Sequence, residues 1–192
     1  MRREEKKLKL EEKELLPPLS ILHSTVDASF EVIMEKHLYD VYRLCCWFIQ
    51  DKIAAEDVTQ EVFLRAYKSL PGFRGESRIE TWLYRIAINE SKRYLRSWSI
   101  RHIFYQAEPD VHEFIEIEEG VVKKEEWRRL ATVIAKLPFR HRQIIILHYY
   151  EELTIEEIGE ILEISSGAVY TRLHRAREKL KALLNKEGEK WI

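Results

Sequence analysis

The strongest constraint on the fold lies near the C-terminal end. Thr154-Ile155-Glu156-Glu157-Ile158-Gly159-Glu160-Ile161-Leu162 is followed by a short turn at Glu163 to Ser166 and then a basic amphipathic stretch running to Leu184. Thr154 and Glu157 stand at capping-box spacing, so the threonine oxygen can satisfy an orphan amide while the glutamate reaches back. Ile155, Ile158, Ile161 and Leu162 recur at helical period on one face. Gly159 leaves space for a crossing helix, and Ile164 in the turn is placed to plug the gap. In the second helix, capped by Ser165 or Ser166, Val169, Leu173, Ala176 and Leu180 form an inward stripe at spacings of four, three and four. This pattern specifies a helix-turn-helix, and makes double-stranded DNA the first partner to consider.

The opposite side of that second helix carries Thr171, His174 and Arg175, with Tyr170, Arg172 and Arg177 on its shoulders. Recognition helices put their N-terminal residues on base edges, so Tyr170, Thr171, His174 and Arg175 are the base-reading candidates. Ser166, Arg172 and Arg177 are the candidates for phosphate contacts, and Lys179 and Lys181 extend the positive surface. From Ile164 to Leu184 five Lys or Arg face one Glu, although the whole chain has a formal net charge of −1. Local charge carries the signal. The competing reading is an amphipathic helix whose basic side is merely solvated. It requires the capped first helix, the serine-rich turn and the patterned second helix to coincide by chance.

Helical periods dominate the remainder, and six glycines and five prolines in 192 residues argue against a turn-rich β architecture. An all-α fold of two small helical domains is expected. Residues 1–28 are Lys/Glu-rich, with too few apolar residues to fold alone, and read as a charged N-terminal extension open to disorder. A first helical unit is expected over 29–101 and a second over 121–192. Between them, residues 102–120 form an acidic linker. Its Glu108, Asp110, Glu113, Glu116, Glu118 and Glu119 lie in a stretch without Lys or Arg.

Within the first unit, Phe30 to Ile49 reads as a central helix, apolar all round in its later half. The next helix, Ala54 to Leu70, places Ala55, Thr59, Val62, Ala66 and Leu70 on one side. Asp57, Gln60, Glu61, Leu64 and Lys68 form the other stripe, where an exposed leucine among acids and amides suits a protein partner. Taken alone this stripe is weak, since single surface leucines are ordinary. Leu70-Pro71-Gly72-Phe73-Arg74-Gly75-Glu76-Ser77 ends that helix, and Ser77 and Glu80 again have capping-box spacing. Beyond them Ile79, Trp82, Leu83 and Ile86 should point inward and Tyr84, Arg85, Ile88, Ser91 and Lys92 outward, followed by Arg93, Arg96 and Arg101. Cations interleaved with aromatics suit unpaired nucleic acid, because the cations track phosphates while bases stack on rings. For Trp82, burial in the core is at least as good a reading.

Other functions find little support. Cys45 and Cys46 are adjacent on a helix, where their side chains diverge, and read as small core residues. None of the seven histidines pairs with another or with a cysteine at metal-ligand spacing, so no metal and no cofactor is expected. Without a Walker loop, a nucleophile elbow or a supported acid pair, the chain is not expected to be an enzyme. Its longest apolar run, Leu44 to Ile49, is too short to span a bilayer, and no cleavable leader is recognised. No membrane insertion and a cytoplasmic location are expected.

Several blocks together resemble the extracytoplasmic-function group of the sigma-70 family, the alternative sigma factors of bacterial RNA polymerase. Ala55-Glu56-Asp57-Val58-Thr59-Gln60-Glu61-Val62-Phe63 is similar to the family's core-polymerase-binding helix. Phe73-Arg74-Gly75-Glu76-Ser77, running into Thr81-Trp82-Leu83-Tyr84-Arg85-Ile86-Ala87 and Asn89, resembles its promoter-melting segment. Leu137-Pro138, Arg142 and the helix-turn-helix through Arg172, Arg175, Ala176 and Arg177 resemble its last domain. Each block is a moderate signal, but their joint order from Ser29 to Leu184 is highly specific.

The resemblance implies that Asp57, Gln60, Glu61 and Leu64 bind core RNA polymerase. It implies that Phe73, Arg74, Ser77, Trp82, Arg85, Asn89 and Lys92 engage a melted −10 element and hold a flipped base. Ser166, Tyr170, Thr171, Arg172, His174, Arg175 and Arg177 would contact the double-stranded −35 element. An anti-sigma factor is also implied. The sequence departs from the family at Ser165-Ser166-Gly167-Ala168, where proline is usual, and at Gly159, where alanine is commoner. The rival reading is a stand-alone helix-turn-helix repressor or activator on a palindrome, which leaves the first unit's stripe and aromatic helix without purpose. A further rival is a protein-binding adaptor whose helix-turn-helix is purely structural.

Overall fold

The computed structural model describes residues 19–101 and 124–186, with side chains placed over 29–97 and 130–186. The acidic stretch expected to link the two units falls outside the described residues. Those described are helical, without a strand. They form α1 (Leu19–Ile49), α2 (Lys52–Ser69), a 3₁₀ turn (Leu70–Gly72), α3 (Ile79–Arg101), α4 (Lys124–Ala135), α5 (Phe139–Ile145), a π-helical turn (Ile146–Tyr150), α6 (Ile155–Leu162) and α7 (Ser166–Lys186). Contacts divide the chain into one unit ending at His37 and a second running from Leu38 onward. Helix α1 begins at Leu19, ahead of the expected start near Ser29.

Local chemistry sets the helix ends. Asp51 has extended backbone and accepts a 2.9 Å hydrogen bond from the Ala54 amide, which starts α2. Leu70-Pro71 stops it, because proline in a continuing helix would lack the donor the ladder needs. Helix α3 starts at Ile79, with the Trp82 amide bonded to the Arg78 carbonyl, so Arg78 directly precedes the helix. Pro138 introduces α5, and its carbonyl accepts from the amides of His141 and Arg142.

In the larger unit, α2 and α3 pack along their lengths, burying Ala55, Val62 and Ala66 of the one and Leu83 and Ala87 of the other. Cys45 of α1 is buried beside Thr59 and Ser91, and burial pushes its thiol up to about 11. Both cysteines are free and buried. Helix α3 also packs against α6, the first helix of the helix-turn-helix, so the two expected bundles share a face. A second core joins α4, α5 and α7 through residues such as Ala131, Ile144, Val169 and Leu173.

That shared face changes the reading of α3. Tyr84, Ile88 and Ser91, expected on an outward side, are buried. Covered by α2 on one side and α6 on another, α3 cannot keep a broad solvent stripe. Trp82 is half-buried, and its ring lies 4.9 Å from that of Phe73.

Candidate polymerase and nucleic-acid interfaces

The helix-turn-helix is built as its sequence dictates. Thr154 Oγ1 accepts from the Glu157 amide at 3.2 Å, and Glu157 Oε2 accepts from the Thr154 amide at 2.9 Å, closing both halves of the capping box. These bonds, that from the Thr154 backbone foremost, hold the Glu157 carboxyl below the ordinary range. Glu163 takes a left-handed backbone at φ 54° to end α6, with its amide bonded to the Gly159 carbonyl. A Cβ on Gly159 would lie 2.9 Å from the Ile164 carbonyl oxygen, so the glycine admits the backbone of the turn rather than a crossing helix. Ser165 is the serine that caps α7, accepting from the Ala168 amide at 3.3 Å.

On α7, Val169, Leu173 and Ala176 are buried and Leu180 is half-buried. The face across from them presents Ser166, Tyr170, Thr171, His174, Arg175 and Arg177 to solvent, Tyr170 at 59% exposure, with Arg172 half-buried beside them. Burial, followed by the fields of Arg140, Lys179, Arg172 and Arg175, pulls the imidazole of His141 below its usual value. Such a surface can neutralise phosphates while uncharged groups reach base edges.

The second candidate surface follows the Leu70–Gly72 turn. Phe73, Arg74, Ser77, Trp82 and Arg85 line a cavity of about 700 Å³, to which Glu160 of α6 contributes a wall. Gly75 turns this loop with φ 70°. Arg85, Asn89 and Lys92 border an adjoining cavity of about 270 Å³, whose far side includes Gln143, Glu163 and Arg172. The seven −10 candidates thus fall in one region of the molecule. An aromatic pair beside cations has the chemistry to stack a base and hold its phosphate.

The third surface is the outer side of α2. Asp57, Gln60, Leu64 and Lys68 are exposed, with Leu64 at 46%. Glu61 differs from its neighbours because it is already tied to α3. It receives hydrogen bonds from Arg65 at 3.0 Å and Arg93 at 3.2 Å, while Arg65 also bridges to the buried Glu90 at 2.7 Å. Slight desolvation, which would raise the Glu61 carboxyl, is outweighed by these hydrogen bonds, and it lies below its ordinary range. Ile53 at the start of α2 is the most exposed large apolar residue described, at 75%, and no periodicity singled it out.

Sequence reasoning also missed the polar cluster between α1, α3 and the π-helical turn. Glu151 leaves that turn with its side chain 4% exposed and accepts two hydrogen bonds from Arg43 Nη2, at 3.2 and 3.1 Å. The hydroxyl of Tyr84 donates to the same carboxylate at 2.7 Å. Arg43 also lies 4.9 Å over the ring of Tyr150. Burial pushes the Glu151 carboxyl up, beyond what Tyr84 and Arg43 return. Burial alone would lower the less enclosed Arg43, but Glu151 reverses that and holds its guanidinium above the ordinary value. Nearby, Arg142 donates to the carbonyls of Ala135 at 2.7 Å and Phe48 at 2.8 Å, and burial brings it down to about 10.

Models of sigma-70 region 2 and sigma-70 region 4 match residues 33–99 and 127–180. The ECF RNA polymerase sigma factor SigW of Bacillus subtilis is 35% identical over 167 residues, covering 81% of this chain and 89% of its own. This chain belongs to the ECF sigma factors of the sigma-70 family. The RNA polymerase sigma-H factor of Pseudomonas aeruginosa is 30% identical over 166 residues, covering 81% and 86% of the two chains. Among solved structures, CnrH in complex with the cytosolic domain of CnrY aligns with a TM-score of 0.63 at 24% identity, covering 86% and 96%. The sigma factor RpoE of Bartonella quintana, in complex with the anti-sigma factor NepR, aligns at 0.67 and 20%, covering 82% and 97%. These two likenesses establish the all-α sigma fold. In this sigma factor the region 2 match contains the α2 stripe and the Phe73–Lys92 surface, and the region 4 match contains the helix-turn-helix.

Proposed function

We propose that this alternative sigma factor works through the three surfaces just described. Asp57, Gln60 and Leu64, with Glu61 held in place by Arg65 and Arg93, dock on core RNA polymerase. Phe73, Arg74, Ser77, Trp82, Arg85, Asn89 and Lys92 engage the −10 element of the melted non-template strand, where unstacking a base costs a few kcal/mol that the pocket must offset. Ser166, Tyr170, Thr171, Arg172, His174, Arg175 and Arg177 bind the −35 element in the major groove. In this reading 29–101 is the polymerase and −10 domain and 121–192 the −35 domain. Residues 102–120 connect them through the polymerase, and 1–28 form an extension.

The observation that carries the reading is the exposed row from Tyr170 to Arg177 on a capped helix-turn-helix, in the same chain as an aromatic and cationic cavity matched to sigma-70 region 2. Control by an anti-sigma factor is supported by the two solved relatives, one in complex with the anti-sigma factor NepR and the other with the cytosolic domain of CnrY. A factor that works with RNA polymerase belongs in the cytoplasm, and no described helix is long and apolar enough to cross a membrane. No catalytic residue is assigned, since polymerase performs the chemistry. The test is run-off transcription with purified core on promoters recovered by the holoenzyme from genomic DNA. Transcripts that require the added chain support the proposal. A footprint on a palindrome by the chain alone, without initiation, would establish a stand-alone repressor or activator instead.

A further inference from the structure

The cavity of about 270 Å³ bordered by α3, α5 and α7 has a composition that neither DNA surface accounts for. Four cations line it: Arg85 and Lys92 of α3, Arg140 of α5 and Arg172 of α7. Glu163 is the one carboxylate among the described lining residues, and it stands 3.7 Å from Arg85. Lys92, Arg140 and Arg172 have no carboxylate partner among the described residues. Arg85 Nη2 reaches the Glu160 carbonyl at 2.8 Å, but Arg85 Nε is enclosed without a hydrogen-bond partner. The fold therefore holds an excess of three positive charges around one small recess.

Like charges fixed together repel, most strongly where low-dielectric walls keep water away. Ile88 and Ile161, both buried, supply such a wall, and the amide of Gln143, at 6% exposure, borders the same recess. His141, next to Arg140, registers the field. Burial first, and then Arg140, Lys179, Arg172 and Arg175, pull its imidazole down, and its Nδ1 is buried without a partner.

An anion relieves this repulsion, and the recess selects among anions. Guanidinium forks grip phosphate oxygens with charge-assisted hydrogen bonds. One phosphate monoester carries about 1.5–2 negative charges near neutral pH, short of the excess, whereas two linked phosphates can match it. Pockets for drug-sized ligands run to about 300–1,000 Å³, so a recess just below that range suits a diphosphate group and leaves a nucleoside outside. A nucleic-acid strand spaces its phosphates along a surface, one charge each, and does not concentrate them in one recess. We infer that this cavity binds a diphosphate, as the free inorganic ion or as the end of a small nucleotide, between Arg85 and Lys92 on one wall and Arg140 and Arg172 on the other. Asn89 and Gln143 add amide donors. The site goes beyond the promoter function and stands whether or not Lys92 and Arg172 also touch DNA, because Arg140 and Gln143 belong to neither DNA surface.

Titration calorimetry of the full chain with inorganic diphosphate, in buffer free of divalent cations, measures the site. Saturable single-site binding is expected, with a Tm that rises with diphosphate concentration. Arg140→Gln, at an exposed position, should weaken binding about ten-fold or more, the scale of one charge-assisted hydrogen bond. Lys92→Gln, on the opposite wall and also exposed, should do the same. Arg177→Gln removes an equal charge from α7 at a residue that does not line this cavity, and should change affinity by less than about two-fold because solvent and salt screen it. Circular dichroism melts confirm that each variant folds. ADP separates the two sources: equal affinity places only the diphosphate in the recess, tighter binding adds a contact to the nucleoside, and both support the site. Absence of saturable binding overturns the proposal. So does sulfate binding as tightly as diphosphate, or an equal loss in all three variants, either of which reduces the site to diffuse positive charge.

Discussion

Replacing Glu151 by Gln removes the charge at the centre of the Arg43–Glu151–Tyr84 cluster while keeping its shape. At about 3 Å and an effective dielectric near 20, the attraction between Arg43 and Glu151 is about 5 kcal/mol before solvation is counted. Desolvating the pair costs several kcal/mol per ion, so its net worth is small, but stranding one partner typically costs about 3–5 kcal/mol. Arg43 keeps 24% of its side-chain exposure and has Asp40 at 3.8 Å, which softens the loss. The expected cost of Glu151→Gln is therefore about 2–3 kcal/mol, or roughly 4–12 °C in Tm for a chain of this size. Calorimetry and urea titration of single and combined variants measure it. Arg43→Met/Tyr84→Phe/Glu151→Leu, which leaves no buried polar group stranded, should recover most of the loss, so the single effects should not add. A cost below about 0.5 kcal/mol for Glu151→Gln, within the range of ordinary surface substitutions, would refute the reasoning. So would a triple variant no better than the sum of the singles.

Three further outcomes are expected. Arg175→Ala should relax preference at one −35 position by about 1–3 kcal/mol, whereas Arg177→Ala should weaken all duplexes alike and flatten the salt slope, as competition binding at several salt concentrations would show. Asp57→Ala or Gln60→Ala should lower the amount of core retained in a pull-down while leaving the circular dichroism melt unchanged, both residues being exposed. The acid response has one local source. Glu157, lowered in the folded protein, contributes stability above its ordinary value of 4.5 that is lost as pH falls through the folded value. Tm against pH should accordingly lose part of its acid-side fall in Glu157→Gln.

Much of this structure was legible because its determinants are local. The Thr154–Glu157 capping box, the turn at Glu163 and the Val169–Leu173–Ala176 stripe are each written within a few residues, and each forms as its spacing dictates. The outer stripe of α2 was readable for the same reason: one face is buried and the other is not. Helix α3 was harder, because Tyr84, Ile88 and Ser91 are covered by a neighbour whose approach no helical period encodes. The Glu151 cluster is harder still. Arg43 and Glu151 stand 108 positions apart, and a glutamate after an apolar run gives no sign that it will be enclosed. Gly159 shows the intermediate case: a close approach was foreseeable, but not that the Ile164 carbonyl would make it.

The central claim is that this sigma factor opens duplex only together with core polymerase. Permanganate oxidation of unpaired thymines on a promoter recovered with the holoenzyme measures this directly. Reactivity confined to the −10 region, present with chain and core together and absent with either alone, is the predicted result. Reactivity produced by the chain alone, or none when both are present and bound, would contradict the account.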